Sequence, residues 1–128
     1  MTPSRGPHRG PYIIIANEDP QLLDAMVRTL RDAGYCVFQA YNGRAAYDLS
    51  LQLKTVDLLI TNTRMPGLQG PELIRYVREQ LPALPILYIK NQGQPAGPGL
   101  PPDVAILAEP FSSRQLLDVV GGLLARDD

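Results

Sequence analysis

Apolar residues fall along this chain in short unbroken runs separated by longer stretches of helical period. The segment "YIIIA" (12–16) is a continuous β-branched run, the mark of a strand covered on both faces, and "YCVFQA" (35–40), "VDLLIT" (56–61), "PILYI" (85–89) and "VAILA" (104–108) read as four further strands. Between the first two, Leu22, Leu23, Met26, Val27 and Leu30 recur at helical spacing, and Gly34 stands where a helix would cap off. Asn42-Gly43 opens a second helix, "GRAAYDLSLQL" (43–53). A third places Pro71 at its first position, carries the stripe Leu73, Ile74, Val77 and Leu81, and stops at Pro82. The last begins with a capping box, Ser112 with Gln115 three residues on, and a staple of Phe111 against Leu116. Its stripe is Leu116, Leu117, Val120, Leu123 and Leu124.

Five strands alternating with helices predict an α/β domain, a parallel sheet with helices on both faces. The alternation fails once. Between the fourth and fifth strands lies "KNQGQPAGPGLPPD", whose four prolines and three glycines forbid a regular helix of any length, so the fourth helix is expected to be degenerate or missing. Residues 1–11 mix Pro, Gly, Ser and Arg without periodicity and are read as a flexible tail holding the only histidine, His8; residues 12–128 form the domain. No internal repeat is visible.

Composition narrows the function classes. At 128 residues and 45% hydrophobic, the chain is one domain able to bury its own core. A formal net charge of -1 lacks the positive field that non-specific nucleic-acid binding requires. No apolar run approaches the roughly 20 residues of a membrane helix, and the first residues lack the apolar core of a secretion signal. The single cysteine, Cys36, sits in an apolar stretch as a small buried hydrophobe and cannot form an internal disulfide, which fits a reducing cytoplasm. A Gly-rich phosphate loop and a nucleophile elbow are both lacking, so the chain is not expected to be an enzyme.

Candidate chemistry gathers at the carboxyl ends of the strands: "NED" (17–19) after the first, Asn62 after the third, Lys90-Asn91 after the fourth and Glu109 after the fifth. In a flavodoxin-like doubly wound sheet, order 2-1-3-4-5, these ends converge near the switch point between strands one and three. There the segments "IIIANEDP", "GYCVFQAYNGRAAYDL", "DLLITNTRMPGLQGPELIRYVR", "LPILYIK" and "AEPFSSRQLLDVV" together resemble the receiver domains of two-component response regulators over residues 12–125.

That resemblance implies a phosphoryl group accepted by an aspartate after the third strand, Mg²⁺ held by it and an acidic pair, and a hydroxyl and a lysine gripping the phosphoryl oxygens. Here the phosphoacceptor position is Asn62, the acidic pair Asn17 and Glu18, the Thr/Ser position Lys90 and the lysine position Glu109. A carboxamide has no comparable nucleophilic oxygen, so Asn62 is not expected to accept phosphate. With amides at two metal positions, Mg²⁺ binding is expected to be weak or absent, and no other cofactor is implied. Glu109 would repel a phosphoryl group, and Lys90 either pairs with Glu18 or Glu109 or is solvated.

Other positions follow. Asp57, at the amino end of its strand, is expected to be a surface residue and not a substitute phosphoacceptor, and Thr61 and Thr63 turn-forming hydroxyls. Ile106 stands where the family often has an aromatic switch residue, and the family implies a cis peptide at Glu109-Pro110. The leading reading is an atypical receiver acting as a phosphorylation-independent protein-interaction module, with a histidine kinase or output protein as partner, without nucleic acid or membrane. The alternatives are a flavodoxin-like ligand-binding domain and a receiver phosphorylated at an unconventional residue.

Overall fold

Three consecutive isoleucines, Ile13 to Ile15, are fully buried in β1 (Tyr12–Ala16), as a strand covered on both faces requires. The computed structural model describes residues 10–62, 65, 67–91 and 100–125. After β1 come α1 (Pro20–Asp32), β2 (Cys36–Ala40), α2 (Gly43–Gln52), β3 (Leu58–Asn62), α3 (Gly70–Gln80), β4 (Ile86–Asn91), β5 (Ala105–Glu109) and α4 (Ser113–Ala125). The strands form one sheet in the order β2-β1-β3-β4-β5, parallel throughout, which is the flavodoxin-like order expected. Among the described residues there are four helices, none long and apolar enough to cross a membrane. Residues 92–99, most of the segment expected to replace a helix, lie outside the described residues, as do His8, Thr63 and positions 1–9 of the expected tail.

Strand alternation divides the core into two layers. Ile13, Ile15, Leu58, Ile60, Leu87 and Ile89 face α1 and α4, meeting Leu23, Met26, Leu30, Leu116 and Val120. Ile14, Ala16, Leu59, Ile86 and Tyr88 face the other way, against Ala46 of α2 and Leu73, Ile74 and Val77 of α3. Cys36 is buried.

Helix ends follow local chemistry. The Asp19 carboxylate caps α1, accepting from the N–H groups of Gln21 and Leu22, and the Asn42 side chain caps α2 through Ala45 N–H at 2.7 Å. Gly34 has φ +100°, the left-handed conformation expected after α1. The Ser112–Gln115 box closes α4 reciprocally, at 2.8 and 3.0 Å. At α3 the box is Gln69 with Glu72, and Pro71 is the second helical residue because Gly70 is the first.

Strand ends differ from the apolar runs by one or two residues, in a functionally important direction. The third strand runs to Asn62, the fourth to Asn91 and the fifth to Glu109, because ladder pairs Asn62↔Ile89, Lys90↔Ala108 and Asn91↔Glu109 carry polar residues into the sheet. Asp57 departs from expectation too. Its carboxylate accepts from Tyr12 N–H at 2.7 Å while its own N–H donates to Tyr12 O at 2.8 Å, so it pins the start of β1.

Arg78 of α3 ties together the approaches to β4 and β5. Its Nε donates to Leu84 O at 3.0 Å and its two terminal nitrogens grip Asp103 in a fork at 3.2 and 3.0 Å, with the Arg78 side chain only 16% exposed. Arg78→Ala is expected to cost about 1–2 kcal/mol, mainly through the Leu84 carbonyl it leaves unpaired. The urea midpoints of the two proteins measure this, and an unchanged midpoint would show that Arg78 contributes nothing.

Candidate functional site

Because Ala16 pairs with Thr61, the next rung at the carboxyl edge of the sheet sets Asn17 beside Asn62 on neighbouring strands. Alternation puts both on the α1/α4 face: Asn17 continues Ile13 and Ile15, and Asn62 continues Leu58 and Ile60. Glu109 continues Ala105 and Leu107 on that same face. Lys90 follows Ile86 and Tyr88 onto the opposite face.

This geometry separates charges that a one-dimensional reading brings together. Neither Glu18 nor Glu109 forms an ion pair with another described residue; the pairs there are Arg28–Asp24, Arg44–Asp48 and Arg78–Asp103. The considered pairing of Lys90 with Glu18 or Glu109 therefore does not form. The reason is parity: Glu109 and Lys90 leave adjacent strands from opposite faces, and Glu18 is exposed beyond β1.

Asn17 is 1% exposed and held from two sides. Its backbone N–H donates to Ala40 O at 3.1 Å, and its Oδ1 accepts from Asp19 N–H at 2.9 Å. Nδ2 is left buried without a hydrogen-bond partner, and so is Oδ1 of Asn62. A buried donor and a buried acceptor, each unsatisfied, thus sit side by side on neighbouring strands at one face of the sheet.

The remaining groups have defined places. One oxygen of the Asp19 carboxylate serves the α1 cap, a role legible in "DP", an N-cap residue before a proline at the first helical position. Thr61 is not a turn residue: it is fully buried in β3, with its hydroxyl 3.7 Å from the Met65 sulfur. Ile106 is 46% exposed on β5, and the Glu109-Pro110 peptide is cis.

Burial, and secondarily the charge of Asp19, raises the Glu109 carboxyl above its usual 4.5. A carboxyl whose pKa is raised on folding adds stability while protonated and loses that contribution as pH rises through its folded value. Glu109→Gln is therefore expected to be more stable than the parent at neutral pH, with the difference vanishing below pH 4.5. Melting temperatures across that range check it, and a variant less stable at neutral pH would contradict it.

The family model of the response regulator receiver domain matches residues 13–96. The chain is 33% identical to the response regulator receiver protein CpdR of Brucella abortus (strain 2308), covering 88% of this chain and 95% of that protein. It is 29% identical to the sensor kinase CckA of the same organism, over 91% of this chain but only 13% of the kinase. Among solved structures, a response regulator receiver protein from Sinorhizobium medicae WSM419 superposes with TM-score 0.83 at 30% identity, covering 94% of this chain and 98% of that one. The receiver domain of the hybrid histidine kinase CckA gives TM-score 0.75 at 28% identity, covering 88% of this chain and 98% of that one. This chain belongs to the response regulator receiver family, the signalling domains of two-component systems.

Proposed function

We propose that this receiver domain is an interaction module of a two-component or phosphorelay pathway that works without phosphorylation at Asn62. The observation that carries the reading is the pair of amides, Asn17 and Asn62, side by side at the carboxyl edge of β1 and β3. A neutral amide does not attack phosphorus to give an acyl phosphate, and Glu109 on the same face opposes an incoming phosphoryl group.

The donor set also speaks against Mg²⁺, which wants a near-octahedral shell of hard oxygens. Asn17 engages its one side-chain oxygen with the backbone of Asp19, and one oxygen of the Asp19 carboxylate accepts both N–H groups of the α1 cap. The oxygens that remain, those of exposed Glu18, the second Asp19 oxygen, Glu109 and the Asn62 amide, do not form a cluster of three or more His, Cys, Asp or Glu placed to hold a metal among the described residues. The residues do not fit the ion, so no catalytic step is assigned and the domain is read as a non-enzyme. Buried Thr61 is a poor alternative acceptor.

The partner class follows the relatives: one is a receiver protein, another is part of a sensor kinase, so a histidine kinase or an output protein is the partner to seek. A cytoplasmic setting accords with that pairing. The test is incubation with Mg²⁺ and a small-molecule phosphodonor while intact mass is followed. The parent and Asn62→Asp are both expected to gain no phosphoryl group. A stable gain by the parent would overturn the reading, and a gain by Asn62→Asp alone would show that Asn17 and Glu109 oppose the chemistry less than proposed.

A further inference from the structure

We propose that Asn17 decides what the strand-end site accepts, and that the site holds one water molecule, bonded to Asn17 Nδ2 and Asn62 Oδ1, where a metal would need oxygen ligands. The inference rests on the reading of a receiver without phosphoryl chemistry and names the residue that enforces it. Its root is the orientation of one amide. Asn17 Oδ1 accepts from Asp19 N–H at 2.9 Å, so turning the amide over would set two donors face to face. Nδ2 is thereby locked as the group left over, buried and without a partner. An aspartate in the same place would satisfy Asp19 N–H with one oxygen and offer the second as an anionic ligand.

Asn62 supplies the complementary half. Its Oδ1 is a buried acceptor without a partner, on the strand next to Asn17 and the same face, where the register that pairs Ala16 with Thr61 continues. An unsatisfied donor and an unsatisfied acceptor at adjacent positions are bridged by a group that accepts from one and donates to the other. Water does both, and buried waters are placed in this way in protein interiors. A divalent cation cannot replace it, because the N–H hydrogens of Nδ2 carry positive partial charge toward the place it would occupy.

Divalent-ion binding in two variants tests the assignment. By calorimetry with Mn²⁺, Asn62→Asp is expected to bind no better than the parent, and the double variant Asn17→Asp/Asn62→Asp at least about tenfold tighter than Asn62→Asp. Equal binding by the single and double variants, or no gain in the double, would overturn the role of Asn17 while leaving the phosphodonor result untouched. Saturable Mn²⁺ binding by the parent would instead strike at the reading beneath it. Should the double variant fail to fold, nuclear magnetic resonance of the parent decides: the Asn17 side-chain amide protons are expected to cross-relax with a bound water. A coupling through a hydrogen bond to a protein carbonyl would overturn the proposal.

Discussion

Gly70→Ala is expected to destabilise the domain by about 3 kcal/mol, a cost at the upper end of overpacking effects. Gly70 is the first residue of α3, and a methyl group there would collide with the backbone oxygen of Asn62 and reach the Tyr88 ring at 3.0 Å. Neither neighbour can yield cheaply. Asn62 is held in the ladder with β4, opposite Ile89, and Tyr88 is fully buried. The start of α3 must therefore lift from the sheet edge, loosening Leu73 and Ile74 from the second core layer. Urea unfolding measures the change as a fall in midpoint, and in melting it should amount to a loss of more than about 10 °C. A cost below about 1 kcal/mol would show that the α3 terminus shifts freely.

Ile60→Ala is expected to cost about 3–4 kcal/mol. Ile60 is fully buried in the central strand β3 and belongs to the layer facing α1 and α4, so removing its branched side chain leaves a void bounded by both strands and helices. The rigid ladder on each side limits collapse into that space. Leu51→Ala serves as the control, because Leu51 is 52% exposed on α2 and its loss should change stability by no more than about 0.5 kcal/mol. Equal losses for the two substitutions would mean that β3 is not the packed centre described here. The two large effects bracket Asn62, one from the strand that delivers it and one from the helix that closes on it.

The periodicity of the sequence located every element of the sheet and its four flanking helices, because an apolar run covered on both faces and a helical stripe leave different marks. Caps were legible where their chemistry is local: Asn42-Gly43, Gly34 and the Ser112–Gln115 box each depend on residues within a few positions. Gln69 and Glu72 escaped notice because glutamine is an uncommon first residue of such a box, and Pro71 suggested a start one residue later. Asp57 looked like a surface carboxylate, since its partner, the N–H of Tyr12, is 45 residues away in sequence. Arg78 was hidden for the same reason, its fork closing on Asp103 across the end of the sheet.

The residues at the candidate site were all named by resemblance before any geometry, but their relations were not. That Asn62 is an amide and Glu109 an anion follows from the sequence alone, since side-chain chemistry needs no fold to be stated. So does the parallel α/β layering, which alternation of strands and helices implies, whereas the order 2-1-3-4-5 came with the flavodoxin-like fold and is what the sheet shows. Only the tertiary structure decided that Lys90 leaves the sheet from the face opposite Glu109, because parity depends on register between strands distant in sequence. The same holds for the amide of Asn17: its direction is set by a hydrogen bond to Asp19 N–H and by burial that no neighbouring residue could reveal.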